Sequence, residues 1–302
     1  MFQVHFYCPA CKFYLGKNQE RQDCGRCKKA FISEQCMKNG SFFLYIPLQG
    51  QLMEMLKDPK MFAYLTNREV KATRRNANIS DVTSSELYQQ LIRNNNLSKN
   101  DMTITWNTDG MSVFKSSKYS IWPIQCTVNE LPPRIYFNNI LLTGLLFGRE
   151  KPNMNTFLTP FVQECTDLEE NWFFFGNEAI PQKVFSLICC ADSPAQAIVK
   201  NCKQFNGYHG CDWCEHPGET VGGRGPPTQY YPFRGDVTLK SAEKQVQYAV
   251  RTEESQEAVI GVKGVSAIQV FPTFDFVKGF TPEYMHSACQ GMYTFCCILI
   301  VD

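Results

Sequence analysis

The chain has 302 residues, 44% of them hydrophobic and 20% charged, with a formal net charge of +1 at pH 7. That length accommodates one large domain or two ordinary ones, and the balanced charge excludes a global bias toward nucleic acid or membrane, so any polyanion contact must come from local patches. No apolar run nears the roughly 18 residues of a spanning helix, and MFQVHFYCPACKF lacks the layout of a secretory signal; a soluble, intracellular protein with no membrane partner is expected.

Fifteen cysteines are present, four of them in two Cys-x-x-Cys pairs near the N-terminus. In a reducing compartment that usage points to metal rather than disulfides, while Cys126, Cys165, Cys189, Cys190 and Cys202 read as buried thiols. Residues 1–40 are expected to form a zinc ribbon. Cys8, Cys11, Cys24 and Cys27 lie in CPACKFYLGKNQERQDCGRC, where each pair wraps a tight turn around one tetrahedral ion and the twelve residues between form a hairpin or loop. So small a unit cannot build a core, and the metal supplies much of its folding energy.

Residues 41–100 read as a helical and basic linker region. LQGQLMEMLKD gives an amphipathic helix over 48–58, and SSELYQQLIRN gives another, opened by a serine cap. Between them Arg68, Lys71, Arg74 and Arg75 cluster; such a group is either a solvated face or a set of phosphate contacts, and nucleic-acid binding is the functional reading.

From residue 101 the period changes to that of strands. MTITWNTDG alternates and closes on an Asp-Gly turn signal at Asp109 and Gly110. YSIWPIQCTVN is a second strand, its Pro123 suggesting an edge or a bulge. RIYFNNILLTGLLFG reads as a third. NMNTFLTPFVQECTDLEENW has helical spacing, KVFSLICCA returns to strand, and SPAQAIVKNCKQF reads as a helix with Ser193 as a candidate cap and Pro194 in its first turn.

Strand, strand, strand, helix, strand, helix is the order of a ribonuclease-H-like core, an α/β fold in which a right-handed crossover brings the fourth strand beside the first. Asp109 ends the first strand and Asp192 follows the fourth, so two acids 83 positions apart are expected at one sheet edge. Two carboxylates there repel unless a cation neutralises them, and hard oxygen ligands suit Mg2+ or Mn2+, as in two-metal phosphodiester chemistry. Each acid also has a plain structural role open to it, Asp109 in a turn and Asp192 at a helix start.

The segments NTDG, VFKSSKYSIWPIQCTVNELPP, GLLFGREKPNMNTFLTPFV and CCADSPAQAIVKNCKQFNGYHGCDWCEHPGE together resemble DNA transposases of the CACTA (En/Spm) type, animal members in particular, over residues 80–292. The resemblance implies that Asp109 and Asp192 are catalytic metal ligands in DNA cleavage and strand transfer, with a third acid on a helix farther along. It implies an inserted helical region after the second Asp, in which Cys211 and Cys214 bind a second zinc with His286 of PEYMHSACQG and Cys289; His209 and His216 compete for the remaining places. Glu283 stands in PEYMH where an Asp is expected. The last residue comes sixteen positions after His286, so the third acid's helix is expected to be missing, and the chain to bind DNA weakly without cutting it.

The expected organisation is therefore a zinc ribbon over 1–40, the linker region over 41–100, a ribonuclease-H-like core over 101–205 and an incomplete zinc-bearing insertion over 206–302. The expected function is that of a nuclear DNA transposase acting on transposon ends. The alternative is a catalytically dead, domesticated zinc-dependent DNA-binding or interaction protein. Two structural Zn2+ ions and catalytic Mg2+ or Mn2+ are the implied cofactors, and DNA the implied partner, with a homo-oligomer allowed.

Overall fold

Two units divide the chain, the first being Met1–Ile188 with Val270–Phe274 and the second Cys189–Gln269 with Asp275–Asp302. The computed structural model describes residues 1–17, 22–68, 81–94, 96–113, 118–175, 180–222, 227–232, 235, 237–283 and 286.

The first unit begins with β1 (Gln3–Tyr7), β2 (Tyr14–Gly16), β3 (Gln22–Asp23), β4 (Ala30–Phe31), α1 (Ser33–Lys38) and β5 (Phe42–Tyr45). β1 pairs antiparallel with both β2 and β5, and β3 with β4. Phe6, Phe31 and Cys36 bury a small apolar cluster here. α2 (Leu48–Leu56), α3 (Pro59–Thr66) and α4 (Glu86–Arg93) follow. The expected serine cap is present, since the Ser85 hydroxyl accepts the Tyr88 N–H at 3.3 Å. Lys71, Arg74 and Arg75 lie outside the described residues.

Next come β6 (Met102–Thr108), β7 (Met111–Ser112), β8 (Ser120–Val128), α5 (Pro133–Tyr136), β9 (Leu141–Gly148), α6 (Met154–Glu170), β10 (Phe173–Phe175), β11 (Ile180–Gln182) and β12 (Val184–Ala191). The strand order is β12-β6-β8-β9-β5-β1-β2, with β7 on β8. β6, β8 and β9 are antiparallel neighbours, and β5 runs antiparallel to β9. The cysteine-bearing ribbon thus continues the same sheet as the central strands instead of standing apart from it. That joining depends on Leu44 and Tyr45 of β5 meeting Leu145 and Gly144 across a hundred residues of chain.

α6 packs its apolar stripe on this sheet. Phe157 meets Phe43 edge-on at 5.3 Å between ring centres, and Phe161 meets Trp106 at 5.4 Å. The same helix supplies a cap that α2 lacks. Pro47 precedes α2 and offers no side-chain acceptor, while the Glu164 carboxylate accepts the N–H groups of Leu48 at 2.8 Å and Gln49 at 3.0 Å, and the Tyr45 hydroxyl. Orphan donors and the positive end of the helix dipole are satisfied by one half-buried carboxylate.

One local expectation changes, and one choice between alternatives is decided. The third strand starts at Leu141, not at Arg134, because Pro132 and Pro133 launch the short helix α5 instead. Pro123 is not on an edge: β8 lies between β6 and β9, and Pro123 faces Leu145, with a register shift immediately after it at Ile124/Gln125. The bulge alternative is the one realised there.

In the second unit, α7 (Ser193–Val199), β13 (Glu219–Val221), β14 (Thr228–Tyr230), α8 (Ala242–Ser255) and β15 (Phe280–Pro282) are the regular elements. Cys189–Ala191 of β12 pair in parallel with β15, and the Gln196 side chain ties the two strand ends by donating to the Ala191 and Thr281 carbonyls at 2.7 and 2.9 Å. α7 is shorter than expected. Asn201 takes φ 52°, and Cys202 turns away to bridge Val262, packing with Ala249 of α8. Its cap is Asp192, which accepts the Ala195 N–H at 2.7 Å, rather than Ser193.

Candidate metal centre and candidate catalytic acids

The two N-terminal Cys-x-x-Cys loops fold identically. Lys12 N–H donates to the Cys8 carbonyl at 2.8 Å and Lys28 N–H to the Cys24 carbonyl at 2.9 Å, closing one tight turn in each. The same carboxyl-side Lys takes a left-handed backbone in both, φ 59° at Lys12 and 60° at Lys28. Cys8 N–H then returns to the Phe13 carbonyl, and Cys24 N–H to the Lys29 carbonyl. The four sulfurs all lie within 4.8 Å of one another, with Cys8 Sγ to Cys27 Sγ 3.6 Å and Cys11 Sγ to Cys24 Sγ 3.5 Å.

Four sulfurs at about 2.3 Å from one tetrahedral ion stand about 3.8 Å apart. The cluster matches that spacing, so these thiols can hold one metal ion, consistent with structural zinc. Burial opposes ionisation of Cys24, but the N–H groups of Cys27 and Arg26 and the thiols of Cys11 and Cys27 bring it down to about 7. Cys11, despite the Phe13 N–H, is pushed up to about 12 by desolvation and its three sulfur neighbours. A cation resolves that unequal sharing by displacing the protons.

Asp109 stands one residue past the end of β6, half-buried, with its Oδ1 accepting the Gly110 N–H at 2.6 Å. Gly110 is required by crowding, because a Cβ there would enter the indole ring of Trp122. Asp192 stands one residue past the end of β12, also half-buried, as the cap of α7. Asp109 belongs to the first unit and Asp192 to the second.

Cys211 and Cys214 lie side by side in the second unit. Burial, followed by the Cys211 thiol among other neighbours, raises the Cys214 thiol, and the Trp213 N–H points at Cys211 Sγ at 3.5 Å. Among the described residues, no third donor joins them: the four-cysteine cluster is the group that meets the spacing of a metal site. His209 Nδ1 engages the Glu215 carbonyl at 2.9 Å, His216 Nδ1 accepts the Gly218 N–H at 2.8 Å, and exposed His286 pairs with Glu283 at 2.5 Å. Cys289 lies outside the described residues.

Arg68 has a different environment from a phosphate contact. Its guanidinium reaches the fully buried Glu130 carboxylate at 3.1 Å and donates to the carbonyls of Lys99, Ser98 and Asp101. Glu130 also accepts the Thr103 N–H and hydroxyl. Removing Arg68 would leave a buried uncompensated anion, and that fixes its role as a structural tie. The charge cluster of the sequence gave no sign of this, since the buried acid is 62 positions away.

Residues 80–225 match the family model described as Transposase family tnp2, which supports a transposase family for this chain. No curated protein matches it. No helix among the described residues is long and apolar enough to cross a membrane.

Proposed function

We propose that this protein is a DNA transposase of the CACTA type, in which Asp109 and Asp192 serve metal-dependent cleavage and joining of transposon ends on a ribonuclease-H-like core. One observation carries the reading. The segment that matches the transposase family model spans both acids, and each stands immediately beyond the end of its strand. The succession β6, β8, β9, α6, β12, with β12 next to β6, supports the ribonuclease-H-like assignment. A half-buried carboxylate at a strand end offers hard oxygen ligands while remaining open to a substrate phosphate. Mg2+ or Mn2+, when bound, supplies charge neutralisation for the phosphodiester and activation of the attacking oxygen. The Gly110 N–H orients the Asp109 carboxylate, and the Ala195 N–H orients the Asp192 carboxylate. DNA is the substrate on this reading, and the nucleus its place of action.

A second reading is kept by a specific feature: both acids already make local hydrogen bonds suited to a turn and a helix cap. A DNA-binding protein without chemistry would keep them for that reason alone. Asp109→Asn and Asp192→Asn separate the two, because asparagine preserves each acceptor and removes only the charge. Mn2+ binding followed by electron paramagnetic resonance should be strong in the wild type and lost in both variants at unchanged melting temperature. Equal Mn2+ binding in all three proteins refutes the catalytic assignment and leaves the second reading. Cys211 and Cys214, with His286 and Cys289 or the nearby His209 or His216, remain our proposed second zinc site.

A further inference from the structure

A cavity of about 560 Å³ opens in the first unit, next to the metal centre, and is lined by the ribbon, β9 and the start of α6. Its volume is that of a site for one small ligand or one nucleotide unit. Two features of its wall belong together. Tyr119, the residue before β8, and Phe147 of β9 lie face to face with ring centres 4.9 Å apart and planes 7° from parallel. The Arg149 guanidinium sits on Tyr119 at 4.8 Å from the ring centre. Arg149, Tyr119 and Phe147 form one column, and Phe147 is 51% exposed at its open end.

The second feature is charge. Lys12, Lys38, Arg149 and Lys151 line the cavity, against the acid Glu150, which is bound to Lys12 at 3.4 Å. Four cations around one anion leave an uncompensated positive rim beside a pre-stacked aromatic face. Stacked rings bordered by cations suit an unpaired base with its flanking phosphates; duplex DNA, whose bases are already stacked, has nothing to offer the ring.

We propose that this cavity binds single-stranded DNA, one base stacking on Phe147 while Arg149, Lys151 and Lys38 contact the adjoining phosphates. The site is pre-organised by the metal centre. Lys12, the residue that closes the first Cys-x-x-Cys turn, forms part of the cavity wall, and its carbonyl accepts the Thr156 hydroxyl of α6 at 2.5 Å. The ribbon therefore holds one wall of a strand-binding site. The proposal rests on the DNA-acting reading for its choice of polymer, and on the aromatic column and charge for its choice of an unpaired strand.

Fluorescence anisotropy of the zinc-loaded full chain tests it, with a labelled oligothymidylate, the same strand carrying an abasic position, and a duplex. Phe147→Ala should weaken the intact single strand by roughly 5- to 150-fold, the worth of one stacked base, and leave duplex affinity unchanged. The penalty should shrink on the abasic strand. Arg149→Ala with Lys151→Ala should lower the salt slope by about 1.4, the share of two single-strand phosphate contacts. Unchanged single-strand affinity in Phe147→Ala, or equal losses on strand and duplex, overturns the proposal while the DNA-acting reading stands. Wild-type protein that binds neither DNA overturns both.

Discussion

Replacing Glu169 by Gln should remove a pH dependence of stability that this one carboxylate imposes. Glu169 lies in the last turn of α6, buried, with Oε1 accepting the Thr273 hydroxyl at 2.6 Å and Oε2 finding no hydrogen-bond partner among the described residues. Burial raises its pKa from 4.5 to about 7; Thr273 and Lys183 oppose the rise and Glu170 adds to it. The folded form therefore holds the proton more tightly than the unfolded chain. Stability from this group is complete below about pH 4.5 and is lost as pH rises through about 7, with no further change above. A rise from 4.5 to about 7 corresponds to an upper figure of about 3 kcal/mol. Urea unfolding of wild type and Glu169→Gln at pH 5, 6, 7 and 8 reads it directly: the wild type should lose stability relative to the variant across that range, and the variant should be the more stable at pH 8. Parallel curves for the two proteins would refute the burial argument.

Three further outcomes follow from the same geometry. Cys24→Ser should abolish binding of the single ion expected at the four-cysteine centre, measured as zinc per chain after gel filtration, and unfold the ribbon at neutral pH; retained stoichiometric zinc contradicts the site. Gly110→Ala should destabilise the first unit by about 1–3 kcal/mol in urea melts, because a methyl group cannot share the space of the Trp122 ring; a neutral result contradicts the close approach. Cys211→Ser should release a second zinc and leave the first in place, so unchanged total zinc counts against the second site.

The four-cysteine cluster was legible because four cysteines at fixed spacing leave few other uses in a short segment, and the structure adds their convergence and how alike the two loops are. The strands β6, β8 and β12 and the helix α6 were legible from period alone, since each buries one face or both against neighbours. What the chain did not disclose depends on pairing at a distance. β5 is four residues, FFLY, between a turn and a helix, and nothing local says that it carries the ribbon onto β9. Arg68 looked like a surface charge because its partner Glu130 is distant in sequence. The sequence offered both Ser193 as a cap and Asp192 as a helix-start residue; the structure uses Asp192, which gives a candidate catalytic acid a second role. The aromatic column at Tyr119 and Phe147 was equally hidden, since it exists only once β8 and β9 are in register.

The proposal that Asp109 and Asp192 hold divalent metal for DNA chemistry can be checked by iron-directed backbone cleavage. The zinc-loaded protein is given Fe2+ in place of Mg2+, then ascorbate and peroxide, so that hydroxyl radicals cut the chain beside the bound ion. Cuts are expected next to Asp109 and next to Asp192, competed by Mg2+, with both sets lost in Asp109→Asn and both lost in Asp192→Asn. Cuts confined to other parts of the chain, or cuts that persist at both places in either variant, would contradict it.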